Sequence, residues 1–285
     1  MLHGIALSGT GGQIERARLE NVNNNLANIE TPGFKEDLMT VMQRPIESRT
    51  WLEVEELDRA AYAQDMMDKL GGGVWLHESY TNFESGHPRL TGNQFDFALS
   101  NKGFFQVEEV TTGDRFYTRD GQFVRNDEGM LTTTDGDFYV LDSEGSRINA
   151  AQMIDGNGGV AMNVNDEGGI QVELAGGGGI DTGRFLGVAI FSDDDLHQLE
   201  KYQKNLFVPI NEDVDKRARQ LTDLQGEERS IAGRVLHKYV ESSGASPVNL
   251  MKEMIDVNRA FERNMELMNV QNGTLEALLG QVARV

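Results

Sequence analysis

The sequence predicts an α+β protein in which paired amino- and carboxy-terminal helices with coiled-coil seams flank an all-β outer domain of short, glycine-rich strands. Three observations predict it. Apolar residues keep a heptad spacing at both ends of the chain, acid–glycine pairs recur at intervals of 7 to 12 residues in the middle, and charge is unevenly spread. The 285 residues hold 26 Lys and Arg against 46 Asp and Glu, a formal net charge of −20. Residues 1–35 are neutral and 246–285 carry −1, so −19 falls between 36 and 245.

At the amino-terminal end, Leu19, Val22, Leu26 and Ile29 are spaced 3, 4, 3, and Ile14 with Ala17 extends the stripe backwards. This is one edge of a helix. Thr31-Pro32-Gly33 stops it, because Pro32 disfavours helix at Thr31 and Gly33 accepts the turn. A seam this short is marginal alone, so residues 1–35 need a partner. Residues 36–80 form an acidic connection in which Leu52, Val54, Leu57, Ala60, Ala61, Met66, Met67 and Leu70 predict a helix within 50–70, ended by Gly71-Gly72-Gly73.

The helical period then disappears. Asp120-Gly121, Glu128-Gly129, Asp135-Gly136, Glu144-Gly145, Asp155-Gly156 and Glu167-Gly168 punctuate β-forming runs such as Phe104–Val107, Arg115–Thr118, Phe138–Leu141 and Phe185–Ile190. This is a hairpin rhythm, and it places a β-rich domain at 81–192. The glycines at 176–179 read as a flexible loop. Residues 193–245 form the return connection, polar and charged over 193–232, with one or two short helices or strands.

The carboxy-terminal seam, in 246–285, is the cleanest pattern in the chain. Met251, Met254, Asn258, Phe261, Met265, Met268, Asn272, Leu275, Leu279 and Val282 keep an unbroken 3,4 alternation over four heptads. Pro247 fits the first helical turn, and Ser246 can cap it. Asn258 and Asn272 weaken an apolar seam but fix its register. It is the natural partner for Leu19, Val22, Leu26 and Ile29.

Composition excludes several functions. An acidic chain with pI near 4.6 lacks the basic surface a nucleic-acid partner requires, so no nucleic acid is expected. The absence of Cys removes disulfides, thiolate nucleophiles and Cys-ligated metals. No apolar run approaches the length of a membrane span, and the opening residues lack the basic and apolar regions of a cleaved secretory signal. There is no Gly-Lys dipeptide for a P-loop, no GxSxG, and no HxxxH or HExxH among five scattered His. The acidic turns fit no EF-hand. No catalytic, cofactor-binding or metal-binding residue is assigned, no cofactor is expected, and the chain does not read as an enzyme. The residues expected to act are those of the two seams.

The segment Asn21–Lys35, with Thr31-Pro32-Gly33-Phe34-Lys35 at its end, closely resembles the amino-terminal signature of flagellar axial proteins, the rod and hook subunits of the bacterial flagellum. Phe83-Glu84-Ser85-Gly86 through Thr91–Leu99, Gly103–Val107 and Tyr117-Thr118-Arg119-Asp120-Gly121 are similar to the start of the β domain in rod proteins. Val240-Glu241-Ser242-Ser243-Gly244 with Met254-Ile255 and Arg259–Glu262 resembles the carboxy-terminal block, although Ser243–Ser246 stands where the family has an Asn-Val pair. Gly4-Ile5 and the continuation after Asn93 are closer to the proximal-rod than to the distal-rod type.

The resemblance implies a structural rod subunit exported without a cleaved signal through the flagellar type III export apparatus and located in the periplasmic rod of the basal body. Its partners would be other copies of itself and other rod and hook proteins. Its terminal helices would form the inner layer of a tube and its β domain the outside, with heterologous contacts generating the helix of subunits. The alternative is a secreted acidic β-domain enzyme or calcium-dependent binding module that its terminal helices merely oligomerise. Calcium titration separates the two.

Overall fold

The computed structural model describes residues 2–43, 74–203, 205–224 and 233–282. The helix expected within 50–70 lies outside the described residues. The chain divides into two units, one made of residues 1–26, 37–80 and 247–285, the other of 27–36 and 81–246.

The first unit holds the long helix α1 (Leu2–Ala27), the paired strands β1 (Asp37–Gln43) and β2 (Val74–Thr81), and, at the far end of the sequence, a helix over Pro247–Val282. That last helix starts at Pro247, where the missing N–H leaves no intrahelical bond unmade. α1 stops at Ala27, earlier than Thr31-Pro32-Gly33 alone suggests. The chain turns over Asn28–Thr31, where the Thr31 N–H donates to the Asn28 carbonyl at 3.2 Å. Residues 28–35, grouped with the terminal helix on sequence grounds, belong instead to the β unit. The reason is burial: Phe34 and Lys35 are each 1% exposed there.

The second unit is a β domain. β3 (Pro88–Leu90), β4 (Phe97–Leu99), β5 (Phe104–Glu109), β6 (Arg115–Thr118), β7 (Phe123–Arg125), β8 (Leu131–Thr133) and β9 (Phe138–Val140) come first. Then follow a short helix α2 (Ala150–Gly156), β10 (Gly159–Val164), β11 (Gly169–Leu174), β12 (Gly179–Phe185) and β13 (Val188–Ile190). The return segment holds more than the one or two short elements expected of it. It contributes α3 (Asp193–Leu196), β14 (Leu199–Gln203), β15 (Leu206–Pro209), α4 (Glu212–Arg217), β16 (Arg219–Gln220), β17 (Val235–His237) and β18 (Tyr239–Glu241). The terminal helix Pro247–Val282 is therefore α5.

The main sheet runs β14-β15-β6-β5-β9-β8-β7, with β13 on β5 and β16 on β13, all antiparallel. β5 is its centre, and Phe104 to Val107 are all buried. That is why its apolar residues do not alternate with exposed ones: Phe105 and Val107 point to one face, and Phe104 with the buried Gln106 to the other. Phe105 joins a core with Phe97, Phe123, Met162 and Val172, which packs α2 and the separate sheet β10-β11-β12 against the main sheet. On the opposite face Phe104 meets Phe191 and Phe207 edge-on, with Tyr117 beside them. The Tyr117 hydroxyl donates to Asp215 of α4, and burial raises the phenol above its usual range.

The acid–glycine rhythm has a specific cause. Three turns repeat one geometry: Asn126, Asp142 and Asn165 each accept, on Oδ1, the backbone N–H four residues on, from Met130, Ser146 and Gly169, at 2.8, 2.8 and 2.7 Å. The third residue on is Gly129, Gly145 or Gly168, with φ of 84°, 81° and 84°, a region costly to any residue bearing Cβ. Residues 176–178, expected as a flexible loop, lie in the tight turn that closes the β11–β12 hairpin, with Gly177 N–H on the Leu174 carbonyl at 3.1 Å.

Candidate assembly interface

In the first unit, α1 and α5 lie side by side and antiparallel. The Ser8 hydroxyl donates to Gln271 Oε1 at 3.4 Å, Gly11 is packed on the Asn264 side chain, and Arg18 pairs with Glu253 at 3.6 Å. Along α5 the covered face runs Leu250, Met254, Val257, Phe261, Asn264, Met268, Gln271 and Leu275, again a 3,4 alternation. Met254, Phe261, Met268 and Leu275 are thus half-buried in the pair. The other column, Met251, Asn258, Met265, Asn272 and Leu279, stands beside it rather than in it. Asn258 is half-covered and spends its amide on the Met254 carbonyl at 2.9 Å, while Met251, Met265 and Leu279 are 54%, 38% and 60% exposed.

Hydrophobic periodicity does not reveal this choice of column, because two of the inner positions, Asn264 and Gln271, are polar. They are accommodated because α1 presents small residues there, Gly11 and Ser8. On α1, Val22 is buried, Leu19 and Leu26 are half-buried, and its outward residues Gln13, Arg16, Glu20, Asn23 and Asn24 are polar and exposed. Ile29 follows the helix and lines a cleft of the β unit with Pro32, Arg89, Val240 and Ser242. α5 therefore exposes an apolar column, interrupted by Asn258 and Asn272, where the outward residues of α1 are polar.

The motif blocks meet in the β unit. Glu241 accepts from Lys35 Nζ at 2.7 Å and from the Gly86 N–H at 2.7 Å on one carboxylate oxygen, and from Arg119 at 3.2 Å on the other. Its backbone carbonyl accepts from Gly33 at 2.9 Å. Lys35 also donates to the Glu84 carbonyl at 2.6 Å. Lys201 donates to the Lys35 carbonyl at 3.0 Å and stands 4.2 Å from the Phe34 ring centre. Two cations and one carboxylate, none more than 3% exposed, are thus enclosed together. Burial, seconded by the neighbouring Arg119, pushes the Lys35 amine down to about 8, and burial also lowers Arg119 against the pull of Glu241. Close approach fixes the motif glycines: a Cβ at Gly33 would lie 2.3 Å from the Arg119 carbonyl carbon, and one at Gly86 2.0 Å from the Ser242 oxygen.

Sequence reasoning assigned no role to Lys35, Arg119 or Glu241. The signal was present, in charged residues embedded among the glycines of three separated motif blocks. Among the described residues, nothing supports an enzyme site or a calcium module, and no His, Asp and Glu are grouped as a metal would require.

Residues 98–172 match the flagellar hook protein FlgE/F/G D1 domain, and residues 237–281 match the carboxy-terminal domain of the flagellar basal body rod FlgEFG proteins. The chain is 31% identical over 256 residues to the flagellar basal-body rod protein FlgF of Caulobacter vibrioides, covering 89% of this chain and 87% of that one. It is 25% identical over 284 residues to the FlgG of the same organism, covering 97% and 98%. With the FlgG of Bacillus subtilis it shares 25% over 281 residues, 98% of each chain.

Proposed function

The chain belongs to the flagellar basal-body rod proteins of the FlgF/FlgG type and is a structural subunit of the rod, and from that premise we propose that it polymerises through its terminal helices into a tubular drive shaft. The observation that carries the proposal is the outward column of α5. Met251, Met265 and Leu279, with Ile255 at 52%, expose a long apolar edge that a lone subunit has no reason to keep. In this reading one column of α5, with Leu19, Val22 and Leu26, holds the subunit's own helix pair. The second column, with Asn258 and Asn272 setting register, packs on neighbouring copies and on other rod and hook proteins.

The inner layer is then built from α1 and α5 and the acidic β unit faces outward, where like charge favours solubility before assembly. Export proceeds through the flagellar type III apparatus without a cleaved signal, and the rod lies in the periplasm. Higher identity to the FlgF than to the FlgG of one organism supports the proximal-rod subtype.

The test replaces Met251 and Met265 together by Lys. The variant should melt as the parent does, since both side chains are already exposed, yet fail to enter rods when it is the cell's only copy. Normal incorporation would sink the proposal.

A further inference from the structure

The chain passes four times between its two units, after residues 26, 36, 80 and 246. Inside the β unit the roots of these passages are bonded to one another. Gly33 and Lys35, from the segment entered at the first passage and left at the second, bind Glu241. Glu36, the last residue before the second passage, accepts the Asn82 N–H at 2.9 Å, just after the third. Gly86, four residues on, binds the Glu241 carboxylate. Glu241 itself lies just before the fourth passage, and Gly244 beyond it donates to the Phe34 carbonyl at 3.1 Å. One carboxylate is common to the set.

We propose that Glu241 is a positioning residue for mechanical load: it clamps the roots of all four passages, so that force arriving along either terminal helix enters the β unit at one ionic centre. The proposal rests on the rod reading, because a shaft subunit must carry torque. Without the clamp, segment 27–36 is the first to be stripped, held by the packing of Phe34 and single backbone bonds loaded in turn. With it, Gly33, Lys35, Gly86 and Arg119 are loaded together through Glu241. Its enclosure also keeps salt from screening it, as salt screens surface pairs.

Optical-tweezers pulling on the full-length chain tests this. Cysteine handles replace the exposed Gln13 and Gly176, and the chain has no other Cys. Glu241→Gln, which leaves two buried cations without their carboxylate, and Lys35→Met, which removes the side-chain bonds from segment 27–36 to Glu241 and Glu84, should each lower the first rupture force by about half. Rupture should then release segment 27–36 before the sheet unfolds, and the parent's force should not change with added salt. The comparison variant is Val172→Ala, in the buried core of β11, with melting matched by temperature. It should keep the parent's force. If Glu241→Gln does not fold, Lys35→Met, which leaves Arg119 to balance Glu241, decides. Rupture at the parent's force, or no lower than in Val172→Ala, overturns the clamp. Force is read on the single chain and incorporation on assembled rods, so failure of the clamp and failure of the rod reading are separate outcomes.

Discussion

Asn25 and Asp37 exchange two hydrogen bonds: the side-chain Nδ2 of Asn25 donates to the Asp37 carbonyl at 2.9 Å, and the Asp37 N–H donates to Asn25 Oδ1 at 3.1 Å. Asn25 is 2% exposed, so water cannot readily take its place. The last turn of α1 is thereby joined to the start of β1 across the base of segment 27–36. Asn25→Ala should cost about 2 kcal/mol, by leaving two backbone groups unsatisfied. Asn25→Asp, which retains an acceptor but loses the donor, should cost no less. The midpoint of denaturant unfolding measures both.

Truncation distinguishes the helix from the segment that follows it. Removing residues 2–26 should leave the melting of the β unit nearly unchanged. Removing 2–35 also deletes Phe34 and Lys35 from the interior, where loss of a buried Phe alone costs about 3–5 kcal/mol. Calorimetry should show a sharply lower transition for the longer deletion only.

The buried Lys35 and the half-buried Asp120 give stability a pH dependence of opposite sign. Burial pushes the Asp120 carboxyl up to about 6, against the opposing bonds from Gln122 and Asn205. Its folded form holds a proton that the unfolded form has released, so its contribution is complete below about pH 4 and is lost as pH rises through about 6. Lys35, pushed down to about 8, acts the other way: its contribution is present above the unfolded lysine value and is lost as pH falls through about 8. Asp120→Asn should flatten the acid limb of a stability–pH curve, and Lys35→Met the alkaline limb.

Lys238 is the one non-glycine residue with positive φ among the described residues, at 67°. It turns the chain from β17, which pairs with β4, to β18, which pairs with β3. Its N–H donates to Asp96 at 2.8 Å and its carbonyl accepts from Thr91 at 2.9 Å, so the backbone is fixed while the side chain is exposed. Lys238→Gly should stabilise the protein by roughly 1 kcal/mol, seen as a higher melting temperature.

The sequence displayed the parts of this fold that depend on local chemistry. Pro247 marks the start of α5, Arg115–Thr118 form β6, and four of the six acid–glycine pairs place glycine at positive φ. What it hid depends on who faces whom. The inner column of α5 includes Asn264 and Gln271, which carry no hydrophobic signal, and only Gly11 and Ser8 opposite make them suitable. β14 reads as polar connection because Glu200, Lys201 and Gln203 fill it, and β15 is a run of only four residues set in a charged stretch, yet Leu199, Leu206 and Phe207 supply the buried contacts that bring both into the sheet. The Glu241 centre draws on residues 35, 119 and 241, a separation that no spacing rule spans.

The three repeated turns bear on the order in which the molecule is built. Each is closed by bonds spanning no more than four residues, so the hairpins β7–β8 and β10–β11 carry their own instructions and can close within microseconds. β4 must instead find β17, and Lys35 must find Glu241 across 206 positions, against a far larger loop entropy. A chain threaded out in extended form should therefore knit from its centre toward its ends. The bonds that join the two ends would form last, when the whole β unit is already in place.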